Sequence, residues 1–343
     1  MRMLDRLEQL YAIGGGPGAN RVGYTPEEDE AHRLATGWMS EAGLEVEVDG
    51  HGNLIGRLRG DDPSLPEVWA GSHLDSVPQG GKFDGALGVV AALEAVERLG
   101  RRAPTLAVVA FRDEERGCKG SRGRAASGAL PGAFLEVHHE QGPRLALAGA
   151  PLGVVSGIVG YVRGIKTVTG RAGHAGTTPM DARDDALVTA AEEFLRIRDV
   201  ARAIDGCVAT VGQVEVVPGG TNVIPGLVRF SVDARAPDAE RLDRLQAEIG
   251  VDEAQRVEPS AMHDSARAAL RAALDAHGLP QLELTSGAGH DAGVLASAGV
   301  AAGMLFVRAG NDGVSHSPDE LAADEDVTLA VDVLADALGR LTS

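Results

Sequence analysis

The chain has 343 residues, 44% of them hydrophobic and 24% charged, so it is long enough for a sizeable core and for two domains. The 50 acidic and 32 basic residues give a formal net charge of -18, which argues against nucleic acid or an anionic membrane surface as the main partner. Two cysteines far apart, Cys118 and Cys207, and the lack of a signal core or an apolar span favour a reducing cytoplasm.

The first part of the chain predicts helices alternating with strands. A helix begins at Thr25 with Pro26 in its first turn and ends near Gly43, and two strands follow around a turn at 50–52. The next elements are a buried strand in "EVWAGSHLD", a helix over 86–99 and an almost wholly apolar strand in "PTLAVVAFRDEE". This alternation is typical of a three-layer α/β domain.

The segment 157–262 has a different pattern. It contains a predicted helix from about Asp184 to Ala203, strands in "CVATVGQVEVV" and "LVRFSVDARAPD", and a second helix in "DAERLDRLQAEIG". The following residues resume the long helices and apolar strands of the first part. We therefore interpret 157–262 as a small α/β sandwich inserted between the two parts, 1–156 and 263–343, of the larger domain.

Histidines and acids occur where the predicted core strands end, at the edge where open α/β sheets usually bind ligands. Imidazole and carboxylate groups suit Zn, Mn, Fe or Ni. In "HLD" the aspartate can accept the second ring N–H of the histidine and so fix its orientation. Taken alone, an HxD is more often structural and an EE pair is often the acidic start of a helix. The residues concerned are His73, Asp75, Asp84, Glu114, Glu115, His138 and His316.

The ordered series HxD, GGKFDG, EE, LEVHHEQGP and SHSPDE is far more specific than any of its parts. Over roughly residues 20–335 the chain resembles the dinuclear-metal amidase/hydantoinase/carbamoylase branch of the aminoacylase and carboxypeptidase superfamily (peptidase M20). That branch includes N-carbamoyl-L-amino acid hydrolases, ureidopropionases and allantoate amidohydrolases. The resemblance implies a three-layer catalytic domain of zinc-peptidase type with a smaller inserted α/β sandwich that serves as lid and dimerisation domain.

The same resemblance implies two divalent metal ions per subunit, Zn, Mn, Co or Ni. One ion would be held by His73, Asp84 and His138. Asp84 would bridge to the second ion, which Glu115 and His316 would also hold. The resemblance further implies that Glu114 is the general base and that Asp75 anchors a histidine ligand.

Further motifs imply how substrate is bound. His174 of "GRAGHAGTTPM" would stabilise the oxyanion, acting across the interface of a homodimer. Asn222 and Arg235 of "TNVIPGLVRFSVDAR" would hold the substrate carboxylate, for which the planar guanidinium is well suited. Gln141 would contact the ureido or carboxylate end, and the loop 286–292, with Ser286 and Gly289, would close around the substrate.

The implied activity is hydrolysis of a non-peptide C–N bond in an N-carbamoyl-L-amino acid or similar ureido acid, through Glu-assisted attack of a metal-bridging hydroxide. Allantoate, an N-acyl amino acid or a dipeptide are alternative substrates, and a degenerate relative that binds without turnover is a non-enzymatic alternative. The chain departs from the family at His139, where isoleucine is usual, and in the short connection from Glu115 to Leu135, where the family has additional helices. We therefore expect part of the active-site wall to be missing.

Overall fold

The computed structural model describes residues 2–252 and 255–343. These residues form two compact units, one of residues 2–158 together with Ala261–Ser343, and one of the described residues between 159 and 260. Within the described ranges no helix combines the length and the apolar character that crossing a membrane requires. The α-helices are α1 Arg2–Tyr11, α2 Pro26–Glu41, α3 Ala86–Leu99, α4 Lys119–Ser127, α5 Arg144–Ala148, α6 Ala186–Ala203, α7 Ala239–Ile249, α8 Asp264–Ala276, α9 Asp291–Ser297 and α10 Asp324–Leu341.

Fifteen strands complete the described part of the chain. They are β1 Glu45–Val48, β2 Leu54–Leu58, β3 Val68–His73, β4 Leu106–Phe111, β5 Ala133–His139, β6 Leu152–Ile158, β7 Gly160–Thr169, β8 Gly173–His174, β9 Val208–Val217, β10 Val223–Ile224, β11 Leu227–Ala236, β12 Gln255–Val257, β13 Ser260–Ala261, β14 Glu283–Ser286 and β15 Ala301–Val307. Short 3₁₀ turns occur at Met180–Ala182 and Asn311–Gly313.

The larger unit is built on a mixed sheet in which β1, β2, β4, β3, β5, β15 and β6 lie side by side in that order, with β14 also pairing with β6. The central neighbours β4, β3, β5 and β15 run parallel to one another. Their carboxyl ends therefore meet at one edge of the sheet, which is where an open α/β sheet usually binds ligands.

The central strands are buried on both faces. Along β4, Leu106, Val108 and Ala110 belong to one hydrophobic core, together with residues of α1, α2, α3, α8 and α10. The alternate residues Ala107 and Val109 belong to a second core that includes residues of α9. Because side chains alternate across a strand, a continuous apolar run such as "LAVVAF" is what a sheet covered on both faces requires.

The smaller unit has its own core. Its antiparallel sheet has the order β12-β7-β11-β9. Helices α6 and α7 bury Ile197 and Leu245 against Phe230 of β11. Asp185 caps α6 and Asp238 caps α7, since each side chain accepts hydrogen bonds from backbone N–H groups of the first helical turn.

The prediction of an α/β fold is confirmed by the large mixed sheet and the ten α-helices of the described residues. Helix α3 has the predicted bounds, because Gly85 and Gly100, both at positive φ, enclose its apolar run. No helix is predicted in the short connection after Glu115. Nine of its residues form α4, which ends at Gly128 in the left-handed conformation that commonly terminates a helix.

Candidate metal centre

Most of the predicted metal-ligating residues lie at the carboxyl ends of three parallel strands of the larger unit. His73 ends β3, Glu114 and Glu115 follow β4, and His138 lies near the end of β5. Asp84 reaches the same place from the loop before α3. Glycine is needed next to it, because a Cβ on Gly85 would lie 2.3 Å from the His73 ring. The local turn therefore brings the aspartate back onto the strand ends.

A first group consists of His73, Asp84 and His138, whose potential ligand atoms all lie within 4.8 Å of one another. Oδ1 of Asp84 is 3.7 Å from Nε2 of His73 and 3.2 Å from Nε2 of His138. All three side chains are buried. The three residues therefore converge on one point below the protein surface.

A second group consists of Asp84, Glu115 and His316. Nε2 of His316 lies 3.2 Å from Oδ2 of Asp84 and 3.4 Å from Oε2 of Glu115. The two oxygens of Asp84 thus face different groups, Oδ1 the first and Oδ2 the second. This is the arrangement that a carboxylate shared between two cations requires.

Backbone and carboxylate oxygens orient the two buried histidines. Nδ1 of His138 lies 2.8 Å from the backbone oxygen of His139, and Nδ1 of His73 lies 3.2 Å from the backbone oxygen and 3.3 Å from Oδ1 of Asp75. A proton on each Nδ1 leaves the Nε2 lone pair facing Asp84. Asp75 also accepts the backbone N–H groups of Glu114 and Glu115, at 3.0 and 3.1 Å, and so fixes the loop after β4.

The donor atoms fit a pair of divalent cations. Oε1 of Glu115 and Nε2 of His138 are buried and have no hydrogen-bond partner, although a buried polar atom normally has one. Imidazole nitrogen and carboxylate oxygen are ligands of Zn, Mn, Co and Ni. Metal coordination would satisfy both atoms.

The electrostatics of the group follow from burial and crowding. Burial opposes ionisation of Asp84, but the neighbouring imidazoles of His138 and His316 hold the pKa of this carboxyl well below its usual value. Burial and the Asp84 carboxylate raise the pKa of Glu115 to about 7. The hydrogen bond to Asp84 raises the pKa of His316 to about 9. Burial and the neighbouring carboxylate thus disfavour the ionised form of Glu115, and a cation beside it would favour that form.

Glu114 lies beside the first group. Its Oε2 is 3.8 Å from Nε2 of His73, and its Oε1 accepts a hydrogen bond from Sγ of Cys118 at 3.3 Å. Burial, reinforced by the nearby carboxylate of Asp291, raises the pKa of Glu114 well above its ordinary value. A carboxylate in such surroundings is a stronger proton acceptor than an ordinary glutamate.

The residues expected to contact substrate in the larger unit lie near this centre. Nε2 of Gln141 donates to Oδ2 of Asp84 at 3.1 Å. Ser286 contacts His290 through a 2.9 Å hydrogen bond, and the ring of His290 lies 4.4 Å from that of His138. Gly289 lies between β14 and α9, in the loop of Ser286.

The sequence did not identify Glu136 and His290 as possible metal ligands, but it predicted the orientation of His139 correctly. Glu136 and His290 form a further possible ligand group with His138, although Glu136 already accepts hydrogen bonds from Ser72 Oγ and a backbone N–H of α9. In the sequence, only their positions within "LEVHHEQGP" and "GAGHDA" indicate that these two residues lie near the metal ligands. His139 faces away from the centre, as alternation predicts, and its Nε2 lies 3.1 Å from the backbone oxygen of Leu321.

The smaller unit brings His174 and Asn222 together. His174 pairs with Val223 in the β8–β10 ladder, and the backbone N–H of Ala175 donates to the backbone oxygen of Asn222. Nδ1 of His174 accepts the backbone N–H groups of Gly176 and Thr177 at 3.0 and 3.2 Å. The ring proton is therefore on Nε2, which makes this nitrogen a hydrogen-bond donor.

Arg235 is not brought to His174 and Asn222 within this unit. It lies at the far end of β11, where it pairs with Tyr161, whereas the β8–β10 ladder adjoins the Leu227 end. Eight strand steps separate Leu227 from Arg235, or about 27 Å. The guanidinium of Arg235 bonds the carboxylate of Asp233, with Nε to Oδ1 at 2.8 Å.

Comparisons with known proteins agree with this geometry. The family description "Peptidase family M20/M25/M40" matches residues 69–340. An N-carbamoyl-L-amino acid amidohydrolase of Geobacillus stearothermophilus is 36% identical over 404 aligned positions, which cover 99% of this chain and 98% of the relative. Allantoate amidohydrolase of Bacillus subtilis (strain 168) is 32% identical, covering 98% of this chain and 95% of the relative.

A solved structure agrees in fold over the full length. The crystal structure of an amidase of the hydantoinase/carbamoylase family from Burkholderia multivorans superposes with a TM-score of 0.90 and 30% identity, covering 100% of this chain and 98% of that one. The alignment of 404 positions with the Geobacillus relative exceeds the 343 residues of this chain, so the relative has stretches without a counterpart here. The suspected family is confirmed: the chain belongs to peptidase family M20/M25/M40 and, like these relatives, is an amidohydrolase.

Proposed function

We propose that the chain hydrolyses an N-carbamoyl-L-amino acid at a centre of two divalent cations. The observation that carries this proposal is Asp84, whose two oxygens face two separate groups of potential ligands. His73 and His138 would complete one cation site, and Glu115 and His316 the other. Zn, Mn, Co and Ni all suit these ligands, and availability would decide among them.

When bound, the two cations would polarise the scissile carbonyl and lower the pKa of an attacking water. Glu114 would take the proton from that water and later deliver it to the leaving nitrogen. Asp75 supports this role, because its hydrogen bonds to the backbone of Glu114 and Glu115 keep one carboxylate for proton transfer and the other for the cation. The products would be ammonia, carbon dioxide and the L-amino acid.

The smaller unit would act as lid and dimerisation domain, with the inserted segment spanning 157–262 between catalytic parts 1–156 and 263–343. Nε2 of His174 would donate a hydrogen bond to the oxyanion, and Asn222 beside it would hold the substrate carboxylate together with Arg235. Arg235 would bind the substrate carboxylate, and a small ureido acid cannot span the roughly 27 Å of β11 that separates it from the other two. This separation supports a homodimer in which His174 and Asn222 of one protomer act at the site served by Arg235 of the other.

Gln141, Ser286 and Gly289 would line the site from the larger unit. The resemblance to the family implies that the connection containing α4 lacks helices found there, and it would leave one wall of the site more open. Allantoate is the second candidate substrate, because the similar Bacillus subtilis protein is an allantoate amidohydrolase. N-acyl amino acids and dipeptides are further alternatives, because they too have a carbonyl group bonded to the nitrogen of an amino acid.

The decisive experiment is a substrate panel with chelator-stripped protein reloaded with Mn, Zn or Co. Several N-carbamoyl-L-amino acids, their D-enantiomers, N-carbamoyl-β-alanine, allantoate, N-acetyl amino acids and dipeptides would be assayed for release of ammonia and amine. We expect metal-dependent ammonia release from the N-carbamoyl-L-amino acids. If none is turned over faster than by the Glu114→Gln variant, the proposal is wrong, and ammonia from allantoate alone would establish the second candidate instead.

A further inference from the structure

A closed ring of polar contacts surrounds the second ligand group. Nε2 of Gln141 donates to Oδ2 of Asp84 at 3.1 Å and lies 3.2 Å from Oγ of Ser315. Ser315 donates to Oε2 of Glu320 at 2.7 Å. Oε1 of Glu320 then accepts the backbone N–H of Asp84 at 3.0 Å. The contacts thus begin at the carboxylate of Asp84 and end at its backbone N–H, so they close on the residue that both ligand groups share.

Glu320 is tightly fitted into this ring. It is 5% exposed, and its Oε1 also accepts the backbone N–H of Phe83 at 2.7 Å. Its carboxyl carbon would lie 2.1 Å from a Cβ on Gly81, so a glycine there is a steric requirement. A buried carboxylate with three donors on its two oxygens is stable, and it fixes the loop that leads to Asp84.

Two residues of this region have an unfavourable backbone conformation. Gln141 has φ 57° and His316 has φ 53°, in the left-handed region that non-glycine residues seldom occupy. Such conformations persist where surrounding contacts determine them, and they concentrate at functional sites. The ring supplies these contacts, since it includes Gln141 itself and Ser315, the residue before His316.

The two ligand groups depend on the ring to different extents. His73 and His138 lie on β3 and β5, where they pair with Phe111 of β4 and Phe306 of β15 and are buried. His316 lies on a loop, and its side chain is 50% exposed. Within the described residues, this loop is joined to Asp84 through Ser315 and Glu320. Loss of the ring should therefore weaken the second group, which contains both Asp84 and His316, more than the first, which shares only Asp84 with the ring.

We propose that Gln141, Ser315 and Glu320 are positioning residues that set the affinity of the second cation site. This role goes beyond a substrate contact for Gln141, and it rests on the proposed two-cation function. Residues that orient metal ligands typically change affinity by about 10- to 100-fold when they are lost. Because the ring is closed, removing any one member should release the others, so the effects of two substitutions should not add.

The test uses the variants Ser315→Ala, Glu320→Gln and the double variant, with Ser317→Ala as matched control. Ser317 is in the same loop, and its Oγ accepts the backbone N–H of Asp319 at 3.2 Å rather than a member of the ring. Equilibrium dialysis of metal-free full-length protein against Mn²⁺ would give both dissociation constants. We expect one Mn²⁺ to bind about 10- to 100-fold more weakly in each ring variant, the other Mn²⁺ to lose clearly less affinity, and the double variant to resemble the single ones.

Several results would overturn the proposal. Unchanged affinities in Ser315→Ala, equal weakening of both ions, or strictly additive effects would each show that the ring does not position the second site. Ser315→Thr, which keeps a hydroxyl, should restore affinity, and failure to do so would also contradict the proposal. If Glu320→Gln does not fold, the Ser315 variants decide the matter alone. A wild-type protein that binds fewer than two Mn²⁺ would instead reject the two-cation function on which the proposal rests.

Discussion

Glu114 is the residue at which the proposed chemistry can be separated from metal binding. Its neighbour Glu115 faces His316, whereas Glu114 lies 3.8 Å from Nε2 of His73. Glu114→Gln preserves the shape of the side chain but removes the proton acceptor. We expect the ammonia-release rate to fall by about 10²- to 10⁴-fold, with two metal ions still bound per chain. A variant that loses a metal ion in parallel with activity would mean that Glu114 is a ligand.

Asp75 tests how the loop after β4 is held. Asp75→Ala would leave the backbone N–H groups of Glu114 and Glu115 without their acceptor and would remove the carboxylate beside Nδ1 of His73, which would keep only the backbone oxygen of residue 75. We expect metal affinity to fall by about 10- to 100-fold, as measured by dialysis against Mn²⁺. Asp75→Asn, which keeps one acceptor oxygen, should lose less. Equal losses in the two variants would argue against the hydrogen bonds as the cause.

At the level of elements, helix α3 packs unusually close to the sheet. A Cβ on Gly88 would lie 2.4 Å from the backbone oxygen of Val137 and 2.5 Å from Cβ of Ser72. Gly88→Ala should therefore displace α3 from β3 and β5 and lower the free energy of unfolding by about 1–3 kcal/mol. Gly37→Ala in α2 is the matched control, since a Cβ there meets nothing within 4 Å. The control should stabilise the helix by about 0.5–1 kcal/mol, and urea denaturation of both variants would measure the difference.

An ion-pair cluster joins α6 to β7 in the smaller unit and gives a pH-dependent prediction. Hydrogen bonds from Arg196 and Lys166 lower the pKa of Glu193 to about 2. A lowered pKa in the folded state stabilises the protein above the unfolded value near 4.5, and this stabilisation is lost as the pH falls towards 2. Since the Glu193 side chain is 18% exposed, we expect Glu193→Gln to cost about 1–2 kcal/mol at pH 7.

The cost of Glu193→Gln should shrink as the pH is lowered from 5 to 3, and thermal unfolding across that range would show it. Glu192→Gln, at the adjacent exposed position, is the control and should have little effect at any pH. A constant difference between Glu193→Gln and wild type over the whole range would contradict the assigned ionisation.

Local sequence patterns were sufficient to predict the helix and strands that surround the metal centre. The apolar run of α3 lies between two glycines, and the buried strands β3 and β4 end at polar residues, so both the elements and their shared edge could be predicted. Helix α4 escaped prediction because its nine residues have no apolar face of their own. Its packing comes instead from tertiary contacts such as that of Gly120, whose Cβ would lie 2.1 Å from Oδ1 of Asn53.

Contacts between distant parts of the chain could not be predicted in this way. Glu320 is not part of a periodic hydrophobic pattern that would indicate its position in the fold. Its hydrogen bonds with the backbone N–H groups of Phe83 and Asp84 join residues that are 237 and 236 positions apart in the sequence. The proximity of His290 to His138 likewise depends on how α9 packs beside β5. The ordered motifs indicated which residues belong to the centre, whereas the hydrogen bonds that orient them depend on the folded chain.

At the scale of the whole molecule, the opposite placement of His174 and Arg235 along the smaller unit predicts complementation between inactive variants. In the proposed homodimer, each site would use Arg235 of one protomer and His174 of the other. A heterodimer of His174→Ala and Arg235→Ala would then contain one site with both residues intact and one site with neither. Random exchange of the two inactive proteins gives about half heterodimers, each with one working site of two, so about a quarter of wild-type activity should return.

The complementation assay would co-express the two variants with different affinity tags and measure ammonia release after tandem purification of the heterodimer. The purified heterodimer should have about half the wild-type rate per dimer, whereas each variant alone should remain inactive. Activity that stays at the level of the single variants would show that His174 and Arg235 serve a site within one chain, or that no shared site exists. Analytical ultracentrifugation of the wild type distinguishes these cases. A monomer at assay concentration would exclude a shared site. A dimer without complementation would place both residues in the site of the same protomer.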